Sequence, residues 1–215
     1  PAGGSPGSNF GQYFYGNVPT ISTPNINSTA SPDGWFYFMV RTVVHEVKHI
    51  ASMSARVANN SPSFEQSWLE EGTARIAEEM WVRESLHHIP WKGNIGFGTA
   101  ATNGLYCDFH PTDATCNAAD PLRRPSYGMR RQFNEIRNKL LEPWNWSPFG
   151  DGTGQSGAVF YNTTWSLVRY VADRYATADT TFLRTLTNST VTGVNNLTTV
   201  AGVSFDQLIG GWGLA

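Results

Sequence analysis

The pentapeptide HEVKH at residues 45–49 constrains this chain more than any other segment. Apolar side chains recur at helical spacing through residues 35–57, so we expect a long, mostly buried helix there. Residues four apart lie on one face of a helix, and His45 and His49 can therefore offer two imidazole nitrogens to one ion. Glu46 lies beside them, where its carboxylate can accept a proton from a water held by that ion. The HExxH pattern therefore predicts a zinc hydrolase.

The rest of the chain has the pattern of a mainly helical protein. A polar break at residues 59–62 is followed by Ser63 and Gln66 in capping-box spacing, which predicts a second helix from about 64 to 88. Helical periodicity predicts further helices at about 122–141, 156–175, 180–186 and 205–212.

A catalytic zinc site takes three protein ligands and keeps one position for water, so the pentapeptide needs a third ligand. The metzincin continuation is excluded, because it requires glycine and histidine where the chain has Ser52 and Ala55. The remaining histidines are candidates by residue type alone, since no motif aims them at the site; they are His87, His88 and His110.

A stronger candidate is the segment WLEEGTA at residues 68–74, followed by Glu78. With the pentapeptide, it resembles the gluzincin metallopeptidases, in which a second helix supplies a glutamate to zinc through a segment of the form WLNEGxAxxxE. The match covers Trp68, Leu69, Glu71, Gly72, Ala74 and Glu78. The resemblance implies that Glu71 is the third ligand and that Glu78 stands behind a ligand histidine, where it can hold the metal-binding tautomer.

Glu70 is the main rival of Glu71 as a ligand, and it is also the departure from the family pattern, where asparagine is usual. The two side chains point about a quarter turn apart on a helix, so both cannot bind one ion with good geometry. We favour Glu71 because it precedes the glycine of the motif. Glu71 and Glu78 are also seven residues apart and share a helix face.

The reaction these residues imply is amide hydrolysis with Glu46 as general base. Related enzymes add a tyrosine or histidine that donates to the developing oxyanion. Tyr161, at the start of the predicted fourth helix, is similar to the tyrosine that opens the corresponding helix in aminopeptidase-like gluzincins. The Lys-Gly-Ala that follows it there is not reproduced here, and residues 168–175 resemble instead the secreted bacterial hyicolysin-like peptidases. The alternative donors are Tyr127, Tyr170 and His110.

The resemblance implies an α+β, mainly α, zincin-type fold with a small N-terminal sheet and a helical lower lobe. We expect one domain over residues 1–215, with an upper part at 1–58 that carries the active-site helix and a helical lower part at 59–215. Few residues before the active-site helix have a strand pattern, so we expect the chain to be a fragment of a longer one.

Composition bears on the compartment and the partners. The net charge is -2, so no basic field would attract nucleic acid, and no apolar run reaches the length of a membrane span. Cys107 and Cys116 are too far apart in sequence for a Cys-Cys zinc half-site, and we expect them to form a disulfide. A disulfide implies an oxidising, extracellular compartment.

We expect a secreted, monomeric endopeptidase that takes protein or peptide substrates and one catalytic zinc ion. A zinc aminopeptidase is an alternative, although no GxMEN-like segment precedes His45 to hold a free amine. A non-catalytic, zinc-stabilised binding domain would also keep both histidines and Glu71. Calcium is a weaker candidate, because no spacing matches a calcium loop among the loop acids Asp108, Asp113, Asp120 and Asp151.

Overall fold

The structure is a computed structural model that describes residues 32–86, 136–137, 139–150 and 157–215, together with residue 132. Six α-helices with defined bounds, further helical residues at 132, 136–137 and 139–141, and no strand occur in this part of the chain, which is therefore mostly helical, as predicted. The helices are α1 (Pro32–Ala58), α2 (Ser67–Trp81), α3 (Gly157–Tyr175), α4 (Asp179–Thr187), α5 (Gly193–Ala201) and α6 (Phe205–Leu214). A π-helical segment, Val82–Leu86, continues α2, and a 3-10 turn spans Pro143–Asn145.

The predicted helices are largely confirmed where the structure describes them. α1, α3, α4 and α6 each lie within a few residues of the predicted bounds. The described residues of the predicted helix at 122–141 are helical. α5 was not predicted, because its sequence GVNNLTTVA is short and rich in Asn and Thr. The predicted N-terminal sheet falls largely on residues 1–31, which lie outside the described residues.

The start of α2 differs from the prediction, and the predicted capping box is wrong. Gln66 is the N-cap of α2, and its side chain makes no capping hydrogen bond. The Glu65 carboxylate accepts from the backbone N–H groups of Gln66 at 2.8 Å and Gly193 at 2.6 Å. This anchor keeps the chain extended up to Gln66, so the helix begins at Ser67.

α2 is the central helix, because it packs against α1 on one side and α3 on the other. Its apolar side chains Leu69 and Ile76 are fully buried in one cluster with Leu167, Val168 and Val171 of α3. Burying each such side chain contributes about 1.5–3 kcal/mol to folding. The apolar α2–α3 contact therefore fixes the helix that carries Glu71 and Glu78.

Over residues 39–58, α1 meets α2 through polar side chains, and for these residues the prediction of a mostly buried helix is wrong. Within residues 39–58, the buried side chains are Arg41, His45, Ser52 and Arg56. Several apolar side chains of α1 are instead 38–66% exposed, namely Val43, Val47, Ile50, Met53 and Val57. The orientation follows from the partners of the polar groups, because α2 offers three glutamates that pair with the histidines and cations of α1. In the described part of the chain, no helix is long and apolar enough to cross a membrane.

Arg56 joins the C-terminal end of α1 to the α4–α5 connection. Its Nη2 donates to Oε2 of Glu65 at 2.6 Å and to the carbonyl of Val191 at 3.0 Å. Glu65 also accepts from Gly193 at 2.6 Å and from Nδ2 of Asn196 at 2.7 Å. Removing one partner of a buried ion pair typically costs about 3–5 kcal/mol. This network therefore holds the α1–α2 hairpin on the rest of the helical domain.

Gly72 allows the close approach of α2 to α3. A Cβ at this position would overlap the methyl group of Thr164 and would lie 3.0 Å from its Cβ and 3.3 Å from its backbone carbon. We expect Gly72→Ala to lower the free energy of unfolding by about 1–3 kcal/mol, the usual cost of overpacking a core. Urea denaturation measures this loss. Thr164→Ser removes the overlapping methyl and should recover part of it.

Gly210→Ala in α6 is the matched control, because a Cβ there has no heavy atom within 4 Å. Alanine has the higher helix propensity, so this variant should be unchanged or more stable by up to about 1 kcal/mol. An equal loss of stability in both glycine variants would contradict the packing described for Gly72.

Candidate metal centre

Three ligand atoms converge between α1 and α2. Nε2 of His45 lies 3.1 Å from Oε2 of Glu71, and Nε2 of His49 lies 3.7 Å from Oε1 of the same carboxylate. One ligand atom from each of these three residues lies within 4.8 Å of the others. The two imidazoles are one turn apart on α1 and meet edge to face, with 4.8 Å between ring centroids. The structure therefore brings together the three residues that the sequence predicts as ligands.

The residues present fit a zinc ion. Two imidazole nitrogens and one carboxylate oxygen are ligand types of catalytic zinc sites. Ligand atoms placed tetrahedrally around zinc at about 2.0–2.2 Å are about 3.3–3.6 Å from one another. The distances from Glu71 to His45 and His49, 3.1 and 3.7 Å, lie on either side of that range. The three ligand atoms lie within 4.8 Å of one another, so side-chain adjustment would let His45, His49 and Glu71 hold the ion.

Glu78 binds Nδ1 of His45, the ring nitrogen that does not face Glu71. The Nδ1–H of His45 donates to Oε1 of Glu78 at 2.7 Å, while Arg75 donates to both carboxylate oxygens at 2.8 and 3.1 Å. Nε of Arg41 lies 3.2 Å from Oε2. Burial raises the pKa of Glu78, but His45, Arg75 and Arg41 outweigh it and hold that pKa below its usual 4.5. The ionised carboxylate accepts a hydrogen bond from Nδ1–H, which leaves Nε2 of His45 as the ligand atom.

Glu70 holds His49 in the same way. The Nδ1–H of His49 donates to Oε1 of Glu70 at 2.9 Å, and the Ser52 hydroxyl donates to Oε2 at 2.9 Å. Lys48 lies 2.7 Å from Oε2 and also donates to the Glu70 backbone carbonyl at 3.1 Å. Burial raises the pKa of Glu70, but hydrogen bonds and charge from His49, Lys48 and Ser52 lower it to about 2. Glu70 therefore stays ionised behind His49.

The position of Glu70 removes it as a rival ligand in this arrangement, because its carboxylate binds Nδ1 of His49, whereas Nε2 is the atom near Glu71. Sequence reasoning missed this role. The signal was present in the departure from asparagine at position 70 and in Lys48, a cation placed inside the pentapeptide. Each predicted ligand histidine thus has its own carboxylate, and each carboxylate has its own cation.

The surroundings of His45 favour positive charge. Burial lowers the pKa of His45, but hydrogen bonds to Glu71 and Glu78 outweigh it and raise the pKa from 6.5 to about 9. A divalent cation shared with Glu71 and His49 would supply that charge. The carboxylates that raise this pKa would stabilise a proton or a metal cation alike.

Glu46 lies beside the predicted ligands, and Tyr161 lies within electrostatic range of them. Glu46 is exposed and lines a cavity together with His49 and Glu71. Tyr161, near the start of α3, has the Arg75 guanidinium 5.7 Å from its ring centre. Burial raises the pKa of Tyr161 above 10.0, and the nearby charges of Glu71 and Glu46 raise it further against the effect of Arg75. Its hydroxyl therefore stays protonated and can donate a hydrogen bond.

The other sequence candidates lie elsewhere or outside the described residues. Tyr170 lies nine residues after Tyr161 on α3, about 13.5 Å along the helix axis, and packs edge-on against Tyr175. Ten of the sequence candidates lie outside the described ranges: His87, His88, His110, Tyr127, Cys107, Cys116, Asp108, Asp113, Asp120 and Asp151.

Comparison with protein-family models, with curated proteins and with solved structures found no match for this chain. The candidate site consists of three converging ligand atoms, a carboxylate bound to each histidine, and the exposed carboxylate of Glu46 beside them. Tyr161 lies near enough for the charge of Glu71 to raise its pKa.

Proposed function

We propose that the protein is a zinc-dependent metallopeptidase of the gluzincin type, with a zincin-type fold, and that it acts as a secreted endopeptidase. One observation carries the proposal: His45, His49 and Glu71 present ligand atoms to one point, and a separate carboxylate backs each histidine. Histidine ligands of metals characteristically donate their second N–H to such a group. Among the described residues the group has three ligands, and a zinc site with three protein ligands keeps a position for water, which favours catalysis over a purely stabilising role.

The residues around the centre have distinct tasks in peptide hydrolysis. A bound zinc ion makes water more acidic and polarises the substrate carbonyl. Glu46 accepts the proton of the attacking water on its carboxylate and delivers it to the leaving amine. The Tyr161 hydroxyl donates a hydrogen bond to the oxygen that becomes negative. Glu70 and Glu78 keep the two imidazoles in the tautomer whose Nε2 is a ligand atom.

Hydrolysis of casein and of matched peptides with blocked or free amino ends tests this function. We expect cleavage of casein and of the blocked peptides, and we expect a zinc chelator to stop both. Cleavage only of peptides with a free amine would indicate an aminopeptidase. Zinc binding without hydrolysis of any substrate would support the alternative of a zinc-stabilised binding domain.

Tyr161→Phe tests the oxyanion donor. Loss of one such donor typically lowers kcat by about 10²- to 10³-fold, and we expect a fall of that size with little change in KM. Zinc affinity should be unchanged, because the phenol is not a ligand. Tyr170→Phe is the matched control on the same helix and should keep the parent kcat. An unchanged kcat in Tyr161→Phe would remove Tyr161 from the mechanism.

A further inference from the structure

A cavity of about 320 Å³ adjoins the proposed metal centre. Its walls come from the second half of α1, the α1–α2 connection and the first turns of α2. Three of the residues that line it, Glu46, His49 and Glu71, belong to the catalytic arrangement proposed above. A group seated in this cavity would therefore lie close to the reacting bond.

The charged side chains of this cavity are mostly paired with one another. Arg56 is bound to Glu65 at 2.6 Å. Glu70 is bound to His49 and Ser52, both at 2.9 Å. These paired groups would attract a charged substrate side chain only weakly. A charged side chain that enters the cavity would lose solvation that these pairs do not replace.

Two apolar side chains remain open to the cavity. Met53 on α1 is 48% exposed, and Phe64 in the α1–α2 connection is 59% exposed. Exposed apolar side chains in a concave wall gain free energy when another apolar group covers them, at about 25 cal/mol per Å². Ligand pockets begin at about 300 Å³, so this volume suits one large side chain and part of a backbone.

On the basis of the proposed function, we propose that this cavity is a specificity subsite that receives an apolar side chain of the peptide substrate, at a residue next to the scissile bond. Met53 and Phe64 are the specificity-determining residues. Acidic side chains are disfavoured, because the carboxylates of Glu46 and Glu71 line the same cavity. Basic side chains are disfavoured because they would lose solvation against Met53 and Phe64, while two of the four lining carboxylates, Glu65 and Glu70, are already paired with cations.

The test uses the zinc-loaded protein and internally quenched peptides that vary one residue at a time on either side of the cleaved bond. At one position we expect Leu and Phe to exceed Asp and Lys by at least about tenfold in kcat/KM, the discrimination that an apolar pocket supplies. Met53→Lys should erase that preference and raise cleavage of the Asp peptide. Val57→Lys is the matched control, because Val57 is 66% exposed on the same helix and is not part of the cavity lining.

Binding of hydroxamates to the zinc-loaded protein gives a second readout that does not need turnover. We expect a blocked leucine hydroxamate to bind at least about tenfold more tightly than the aspartate compound, and Met53→Lys to remove this difference. Equal binding of the two compounds, or a preference that Met53→Lys leaves intact, would overturn the subsite while leaving the metallopeptidase standing. A parent protein that binds no zinc would overturn the proposed function and the subsite with it.

Discussion

Glu46→Gln is expected to abolish most of the peptide hydrolysis while leaving the zinc content of the protein unchanged. The carboxylate is exposed beside the ligands but is not one of the three converging groups, so its replacement by an amide of the same shape keeps the site intact. An amide cannot accept the proton of the attacking water. A general base typically contributes about 10²- to 10⁴-fold to the rate, and kcat should fall by that factor.

Glu84→Gln is the control for this change, since Glu84 is an exposed glutamate in the segment Val82–Leu86. It should keep the parent kcat. Zinc content, measured by elemental analysis, separates a lost base from a lost metal. Hydrolysis at the parent rate in Glu46→Gln would sink the proposed mechanism, whatever the zinc content.

Glu71→Ala should weaken zinc binding more than Glu70→Ala does. Its carboxylate lies 3.1 Å from Nε2 of His45 and 3.7 Å from Nε2 of His49, so the change removes one of three ligand atoms. Loss of an outer partner of a ligand typically lowers metal affinity by about 10- to 100-fold. We expect Glu71→Ala to exceed that range and Glu70→Ala to fall within it. Competition with a chromophoric zinc chelator measures both.

Glu70→Gln refines the comparison, because glutamine keeps an oxygen that can accept from Nδ1 of His49. It should recover most of the zinc affinity lost in Glu70→Ala. The opposite order, with Glu70→Ala weakening zinc more than Glu71→Ala, would make Glu70 the ligand and contradict the roles assigned to the two glutamates.

The sequence predicts much of this site because its spacing is local. His45 and His49 are one helical turn apart, so any helix through residues 45–49 places them together. Glu71 required a second helix in the right register, and only the likeness of residues 68–74 to a known pattern made that step. The structure brings the three groups together as that likeness implies.

The face of α1 that packs against α2 could not be predicted, because two signals compete in one helix. The apolar stripe through Val43, Val47 and Ile50 argues for burial on one side, while the histidines argue for burial on another. The ion pairs with α2 decide in favour of the polar side. Such pairing depends on tertiary contact, and periodicity carries no information about it.

The same limit applies to Glu70 and to the start of α2. Glu70 lies behind His49 because Lys48 and Ser52 approach it from α1, a contact between residues 18 to 22 positions apart. The capping-box prediction failed because Glu65 binds Gly193, which lies 128 residues further along the chain. Local patterns predicted the helices; contacts distant in sequence set their ends and the partners of the ligands.

X-ray diffraction at the zinc absorption edge, on crystals of the protein grown with zinc, tests the metal centre most directly. We expect a single anomalous peak within about 2.0–2.2 Å of Nε2 of His45, Nε2 of His49 and a carboxylate oxygen of Glu71. Glu70 and Glu78 should still accept hydrogen bonds from Nδ1 of His49 and Nδ1 of His45, respectively. The absence of a peak between α1 and α2, or a peak bound by Glu70 in place of Glu71, would contradict the centre described here.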